Sequence, residues 1–375
     1  MQSPNVAYVN YENISENVAQ ICAVINKPVM AVVKADAYGH GLIKSSQAAL
    51  VGGAQWLGVA LLSEALEIRK AGIAAPLFAW LTPPGADFEG AIKNDIDLSI
   101  SSLQQLQEIY AASLRVGLIA RVHLKVDTGM SRAGALDEFP EIVSELTRLC
   151  DAKEIELIGT WSHLACADEP THPLNAEQIK RFNAALEYMQ DENLNPGIRH
   201  IANSSAIIGL PDATFDLVRA GLLIYGLSPI NHPLENLTLK PAMELRARLL
   251  LVKQIPKGAT VGYGATVEVA KETKIGIVAF GYADGLPRST DGTAYFLHNN
   301  LPAHLIGRVS MDQCAIDLGI DSIAKAGDEV IIFGSKPLAN ELAKAAGTIS
   351  YEIVSGIGSR TPRIPVPPEN QVSEV

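Results

Sequence analysis

Short apolar runs rich in β-branched residues recur along the first 230 positions of the chain. They are VMAVVKA (29–35), WLGVAL (56–61), APLFAWL (75–81), DLSIS (97–101), ARVHLKVD (120–127), LIGTWSHL (157–164), IRHIANS (198–204) and LVRAGLLIYG (217–226). Each is the length of a strand, and most gaps hold one stretch of helical period. SEALEIRKAG (63–72) starts on serine and stops at glycine, while FPEIVSELTRLCDA (139–152) and NAEQIKRFNAALEYMQ (175–190) are amphipathic. Strands alternating with helices over this span predict an α/β fold of the (β/α)8 TIM-barrel type. The rival is a doubly wound open sheet, which carries a glycine-rich fingerprint after its first strand. KADAYGHG (34–41) does not match that fingerprint.

The pattern changes after about residue 232. INHPLENLTLKPA (230–242) reads as a linker. Beyond it MELRARLLLVKQI (243–255), TKIGIVAFGYADG (273–285), LPAHLIGRVSMDQCAIDL (301–318) and DEVIIFG (328–334) read as strands, with turn signals PKGA, TDGT, HNN and KAGD between them. ANELAKAAG and TISYEIVSGI read as short helical segments. The expected organisation is a barrel over 10–232 and a mostly β domain over 233–375. Residues 1–9 are expected to pair with the second domain, and IPVPPENQVSEV (364–375) to be a loose tail.

Composition narrows the function classes. The chain has 375 residues, 48% of them hydrophobic, with a mean hydropathy of +0.16, enough for a large core. A net charge of −11 and a pI near 5.3 argue against a nucleic-acid partner. No apolar run reaches the roughly 18 residues of a membrane span. MQSPNVAYVNYENISENV lacks the basic-then-apolar order of a secretory signal. Cys22, Cys150, Cys166 and Cys314 show no paired spacing and read as reduced thiols, so a cytoplasmic protein is expected.

In a TIM barrel the site lies at the C-terminal ends of the strands. The polar residues there are Lys34 and Tyr38 after the first strand, then Lys125, Asp127 and Arg132 at the fifth. His163 ends the sixth, Asn203 and Ser204 end the seventh, and Arg219 and Gly221 lie in the eighth. Lys34 is the odd one, because a buried ammonium at the end of an apolar strand is costly. Two readings stand. Spacing favours a lysine that snorkels to solvent or pairs with Asp36. The other is an amine that forms a Schiff base with a carbonyl cofactor. SHLACADEPTHP places His163, Cys166, Asp168 and His172 close together, but their spacing fits no usual zinc pattern, so no metal is expected.

AVVKADAYGHG, KVDTGMSRAG, SHLACADE, ANSSA, RAGLLIYG, VGYGAT, GYADG, GRVSMDQ and SYEIVSGIGSRTPR follow one another along the chain. In this order they resemble the alanine racemases, pyridoxal 5'-phosphate enzymes with a barrel followed by a β domain. The resemblance covers nearly the whole chain. It implies that Lys34 anchors the cofactor and is one of two catalytic bases. Tyr263 would be the other, reaching the site from a second subunit, so a homodimer with a composite active site is implied. His163, with Arg219 behind it, would supply positive charge near Tyr263. Arg219 would face the cofactor's ring nitrogen; its alternative is a salt bridge to Asp216 or Asp212. Tyr38, Ser204, Gly221, Leu222 and Tyr351 match the family's phosphate contacts, and Asn203 belongs to the same cofactor-binding set. Arg132 and the backbone N–H of Met311 match the holders of the substrate carboxylate. Tyr282, Asp312 and Tyr351 would narrow the access to the site. Lys125 matches a lysine that is carbamylated in some members; its alternative is a plain lysine paired with Asp127. Trp80 stands where a smaller aliphatic is expected and would pack beside the cofactor ring, and Ser162 stands where threonine is expected. The implied activity interconverts L- and D-alanine, supplying D-alanine for peptidoglycan in a bacterium. The competing functions are a broad-specificity amino-acid racemase, a decarboxylase on the same plan, and a non-catalytic pyridoxal-phosphate-binding protein.

Overall fold

A computed structural model describes residues 3–230 and 237–366. After an N-terminal strand β1 (Asn5–Val9), eight strands follow: β2 (Val29–Val32), β3 (Trp56–Leu61), β4 (Leu77–Leu81), β5 (Asp97–Ile100), β6 (Ala120–Lys125), β7 (Ile155–Trp161), β8 (Ile198–His200) and β9 (Val218–Ala220). Each pairs in parallel with its neighbour in sequence from β2 to β8, and β9 pairs with β2. Backbone bonds from Asp216 N to Arg199 O and from Arg219 N to Ala202 O, both 3.0 Å, bring the β8 and β9 segments together. The result is the eight-stranded barrel. β2 to β4 are continuous apolar runs because parallel strands here are covered on both faces, whereas β5, β6, β8 and β9 also carry polar or charged residues. Met30, Trp56, Phe78, Trp161 and Leu217 form a cluster distinct from the main core.

The helices between the strands have readable ends. Leu103–Val116 starts where the Ser102 side chain accepts from Gln105 N, and stops at Gly117 in a left-handed conformation. Phe139–Asp151 buries Ile142, Val143, Leu146 and Leu149, one stripe at helical period.

The second unit is built on β10 (Met243–Ile255), a long strand that pairs with three others. Strands Thr273–Val278, Cys314–Asp317, Leu301–Leu305, Tyr295–His298 and Glu329–Phe333 pair in turn, antiparallel, and both ends of that series pair with β10. β1 lies on β10 in register Asn5 with Ala247, and Arg363–Pro365 lies parallel to β1. Asn17, on the helix Tyr11–Ile25 that follows β1, donates to Ile224 O and Lys240 O and accepts from Lys240 N. That side chain ties the first helix to the chain leaving the barrel.

Some boundaries depart from the sequence expectation. The first barrel strand stops at Val32, because the chain turns left-handed after Lys34. The last stops at Ala220, and Leu222–Tyr225 form a 3-10 turn. GYADG is a turn, held by Gly281 N donating to the buried Asp284 at 2.9 Å. The strand Tyr295–His298 was not expected; the HNN signal beside it is real, with Asn299 and Asn300 at φ 49° and 63° in the hairpin turn. Ile364 and Pro365, expected to be loose, are in a strand. The rest of that tail from 367 onward, and residues 231–236 of the expected linker, lie outside the described residues.

Candidate active site

Lys34 follows the first barrel strand and opens an unusual turn. Ala35, Asp36, Ala37 and Tyr38 all have φ of 53–54°, four successive left-handed residues with none of them glycine. Each costs about 1–2 kcal/mol against a right-handed conformation. Several bonds hold the turn. Ala37 N donates to Val33 O, Gly41 N to Asp36 O, and Leu42 N to Asp36 Oδ1. The His40 ring nitrogen Nδ1 meets the Ala37 and Tyr38 carbonyls. Glu64 accepts from Ala35 N at 2.5 Å while also accepting from Ala60 N and Leu61 N, so it fixes the turn to the next strand. Asp36 is thus engaged with backbone, and no ion pair joins it to Lys34 among the described residues. Burial pulls Lys34 below the usual lysine range, with Arg132 and Arg219 adding to the effect and Glu64 opposing it. The Lys34 ammonium nitrogen lies 5.7 Å from the centre of the Trp80 ring.

Cations gather around it. Lys125 ends β6 and stands over the Trp161 ring at 4.5 Å; the Arg219 guanidinium lies over the same ring at 5.0 Å. Burial, then Arg132 and Arg219, lower Lys125 to about 8. Asp127 is not its salt-bridge partner: its Oδ1 accepts from Gly129, Met130 and Ser131 N and shapes the loop that carries Arg132. Arg132 is exposed and unpaired among the described residues. Arg219 has no carboxylate in contact among the described residues either, and Asp216 pairs instead with Arg199 at 2.6 Å. Instead its Nη1 donates to His200 O and meets His200 Nδ1, and its Nη2 donates to Ser162 O and Ile201 O and meets His163 Nδ1 at 3.2 Å. Its Nε–H has no acceptor among the described residues. Burial lowers Arg219 to about 9, which still leaves it protonated at neutral pH. Burial and then these surrounding cations hold His163 far below its ordinary value, so it is a neutral ring.

A hydroxyl cradle lies beside the cations. Gly221 N donates to Ser204 Oγ at 2.9 Å. A Cβ on Gly221 would stand 2.6 Å from the Tyr38 hydroxyl. The Tyr38 ring packs 4.9 Å from Tyr225 and 5.9 Å from Tyr351, and burial pushes Tyr351 up to about 12. Leu222 is fully buried beneath Gly221. Asn203 spends its Oδ1 on Ala206 N as a helix cap, leaving its amide N–H groups. Ser162 donates to Val126 O and meets Thr128 Oγ1.

Tyr263, Tyr282, Met311 and Asp312 are placed on the second unit. Tyr263 is 68% exposed, in a turn between the short strands Thr260–Val261 and Val267–Glu268. No described contact joins it to His163 or Lys34. Tyr282 N donates to Ser310 O and Ala283 N to Met311 O, so Tyr282 and Met311 are neighbours. Asp312 pairs with Arg360, which also holds Asp284. No cluster of three metal-ligating side chains occurs among the described residues. The sequence reading missed Glu64, Asp97, His123 and His200. Of the last three, only His123 interrupts an apolar strand; Asp97 opens its strand and His200 closes its own, and no spacing links them.

Comparison with known proteins bears on the fold and the family. The family model for the alanine racemase N-terminal domain matches residues 9–229, and that for the C-terminal domain matches residues 242–365. An alanine racemase of Frankia casuarinae is 47% identical over 89% of this chain and 88% of its own length. One of Salinispora arenicola is 43% identical over 95% and 96%. The crystal structure of alanine racemase from a D-cycloserine-producing Streptomyces lavendulae superposes with a TM-score of 0.94 at 41% identity, covering 99% of both chains. Barrel, second unit and motif order therefore place the chain in the alanine racemase family.

Proposed function

We propose that the protein is an isomerase that interconverts L- and D-alanine with pyridoxal 5'-phosphate, in the cytoplasm, and in a bacterium supplies D-alanine for peptidoglycan. The observation that carries this is Lys34: an amine at a barrel-strand end, with no ion-paired acid among the described residues, lowered by burial and neighbouring cations. Such an amine is suited to covalent attachment of a carbonyl cofactor. The surroundings fit the group. Gly221, Ser204 Oγ and the Tyr38 hydroxyl form a cradle for phosphate that a Cβ would fill. The unpaired Arg219 Nε–H suits a ring nitrogen, and the excess of Lys125, Arg132 and Arg219 suits an anionic ligand.

When bound, the cofactor acidifies the substrate Cα–H by conjugating the substrate amine to an electron-withdrawing ring. Lys34 would hold it and then take or return the Cα proton on one face. Tyr263 of a second subunit would serve the opposite face, giving a composite site in a homodimer. His163, neutral and receiving from Arg219 Nη2, has its proton on Nε2, so that edge is available as a donor toward the phenol. Arg219 donates and does not accept, so it would leave the ring nitrogen unprotonated and favour proton return over transamination. Arg132 and the Met311 N–H would hold the substrate carboxylate, with Tyr282, Asp312 and Tyr351 narrowing access and Trp80 and Asn203 flanking the cofactor. Lys125, lowered to about 8, has a substantial neutral fraction near physiological pH, the form that adds carbon dioxide. A carbamate there would be an anion beside Arg132, and electron density at Lys125 tests it.

The function is tested by incubating the purified protein with pyridoxal phosphate and L-alanine and following D-alanine by chiral chromatography. D-Alanine should appear in a reaction that Lys34→Ala abolishes. A cofactor-loaded protein that forms none refutes the reading.

A further inference from the structure

Arg219 sits at one end of a buried chain that runs down the barrel. Its Nη1 lies 3.0 Å from His200 Nδ1; His200 Nε2 lies 3.0 Å from His123 Nδ1; His123 Nε2 lies 3.3 Å from Asp97 Oδ2. Both imidazoles are fully buried and Asp97 is 1% exposed. Asp97 is the first residue of β5, at the end of the barrel away from the site, where Arg121 pairs with it at 2.6 Å. Between 97 and 230 it is the one buried carboxylate among the described residues.

The geometry fixes every proton in the chain. A guanidinium can only donate, so His200 Nδ1 must carry a lone pair. A neutral His200 then bears its proton on Nε2 and donates to His123 Nδ1. That nitrogen must in turn be bare, so His123 bears its proton on Nε2 and donates to Asp97. A doubly protonated His123 would force His200 to carry its proton on Nδ1, donor against donor at 3.0 Å from Arg219. Burial holds both rings below the ordinary histidine value, in keeping with neutral rings. Burial pushes Asp97 up, but bonds from His123 and Arg121 outweigh it and keep the carboxylate ionised. The surroundings lock the rings in place. Phe78 packs 4.4 Å from His123, Trp56 meets His123 edge-on at 5.7 Å, and Trp161 stacks on His200 at 5.9 Å.

We propose that Asp97 is the buried counter-charge of Arg219, coupled to it through His123 and His200 in their Nε2–H tautomers, and that it is a positioning residue for the guanidinium. This rests on the assignment of Arg219 to the cofactor's ring nitrogen. Two neutral rings passing hydrogen bonds in one direction polarise each other and let a distant carboxylate orient the cation. The arrangement gives Arg219 two fixed faces of donors while leaving Nε–H free.

The test begins with protein carrying 15N-labelled histidine, free of cofactor. At neutral pH both His123 and His200 should show a protonated Nε2 and a bare Nδ1. A proton on Nδ1 of either ring, or a doubly protonated His123, overturns the proposal. Asp97→Asn removes the charge but leaves an amide oxygen to accept from His123 Nε2–H, and the reversed tautomers would still set His200 Nδ1–H against Arg219. In that variant both rings should keep their Nε2–H tautomers without cofactor, while kcat should fall at least about tenfold with KM little changed, because the guanidinium has lost its counter-charge. Asp97→Glu should restore part of kcat. If Asp97 serves only its ion pair with Arg121, Asp97→Asn lowers thermal stability but leaves kcat as in the wild type, which also overturns the proposal. Should Asp97→Asn fail to fold, the wild-type spectrum still decides the tautomer chain. Assigned tautomers in a protein that does not racemise alanine would refute the proposed function and leave the proton arrangement supported.

Discussion

Replacing Ala35 by glycine should stabilise the protein, the reverse of what the same change does in an ordinary helix. Ala35 has φ 53° and ψ 55° and is exposed. An L-residue there costs about 1–2 kcal/mol, a cost that glycine avoids. Glycine's greater freedom in the unfolded chain takes back about 0.5–1 kcal/mol. The methyl group is exposed, so little burial is lost, and the N–H that donates to Glu64 at 2.5 Å is retained. The net expectation is a gain of about 0.5–1 kcal/mol. The control is Ala184→Gly, at an exposed position of the right-handed helix Pro173–Asp191. That change should cost about 1 kcal/mol. Urea denaturation of both variants without cofactor reads the difference as opposite shifts of the midpoint at constant slope. If Ala35→Gly loses as much stability as the control, the turn is not strained and the account of Lys34's local structure is wrong.

Glu64→Ala removes the acceptor of three backbone N–H groups. It should cost about 2–4 kcal/mol in denaturation and lower the yield of cofactor-loaded protein, whereas a loss under 0.5 kcal/mol would count against its role. Gly221→Ala places a methyl 2.6 Å from the Tyr38 hydroxyl and should weaken phosphate-cofactor binding by roughly tenfold or more, measured by fluorescence titration. Lys125 is lowered from 10.5 to about 8 in the folded state, so between those values the unfolded chain binds more protons and stability rises with pH. Lys125→Met should flatten that rise, by at most about 3 kcal/mol, and be the more stable protein near pH 7. Arg219→Glu should increase transamination relative to racemisation, seen as pyruvate released per D-alanine formed; an unchanged ratio contradicts the role given to the guanidinium.

Strand positions were legible because a parallel strand covered on both faces must be a near-continuous apolar run. Helix positions were legible where an amphipathic stripe declared itself, as in 139–152, which contains the helix Phe139–Asp151. The left-handed turn was not. Nothing in Ala-Asp-Ala-Tyr favours φ near 54°; the conformation is imposed by Glu64, 30 positions downstream of Lys34, and by Gly39 and Gly41, which follow at positive φ. The alternatives weighed for single residues failed for a similar reason. Asp36, Asp127 and Asp216 are near Lys34, Lys125 and Arg219 in sequence, yet each carboxylate is occupied by backbone N–H groups or by another arginine. The histidine chain was invisible because it depends on register. Asp97, His123 and His200 sit on three different strands, and only the pairing of β5 through β8 brings them within hydrogen-bond reach. Tyr263 is the converse case: its motif was readable through family resemblance, while within one chain it stands exposed on the second unit.

The central claim is that Lys34 of one subunit and Tyr263 of another form one site, and mixed subunits test it most directly. Lys34→Ala and Tyr263→Phe should each be nearly inactive in D-alanine formation from L-alanine. Co-assembled in equal amounts with pyridoxal phosphate, they should regain about a quarter of wild-type activity, because half of the dimers are mixed and each mixed dimer has one intact site. No recovery from demonstrably mixed dimers, or full activity of Tyr263→Phe alone, would contradict it.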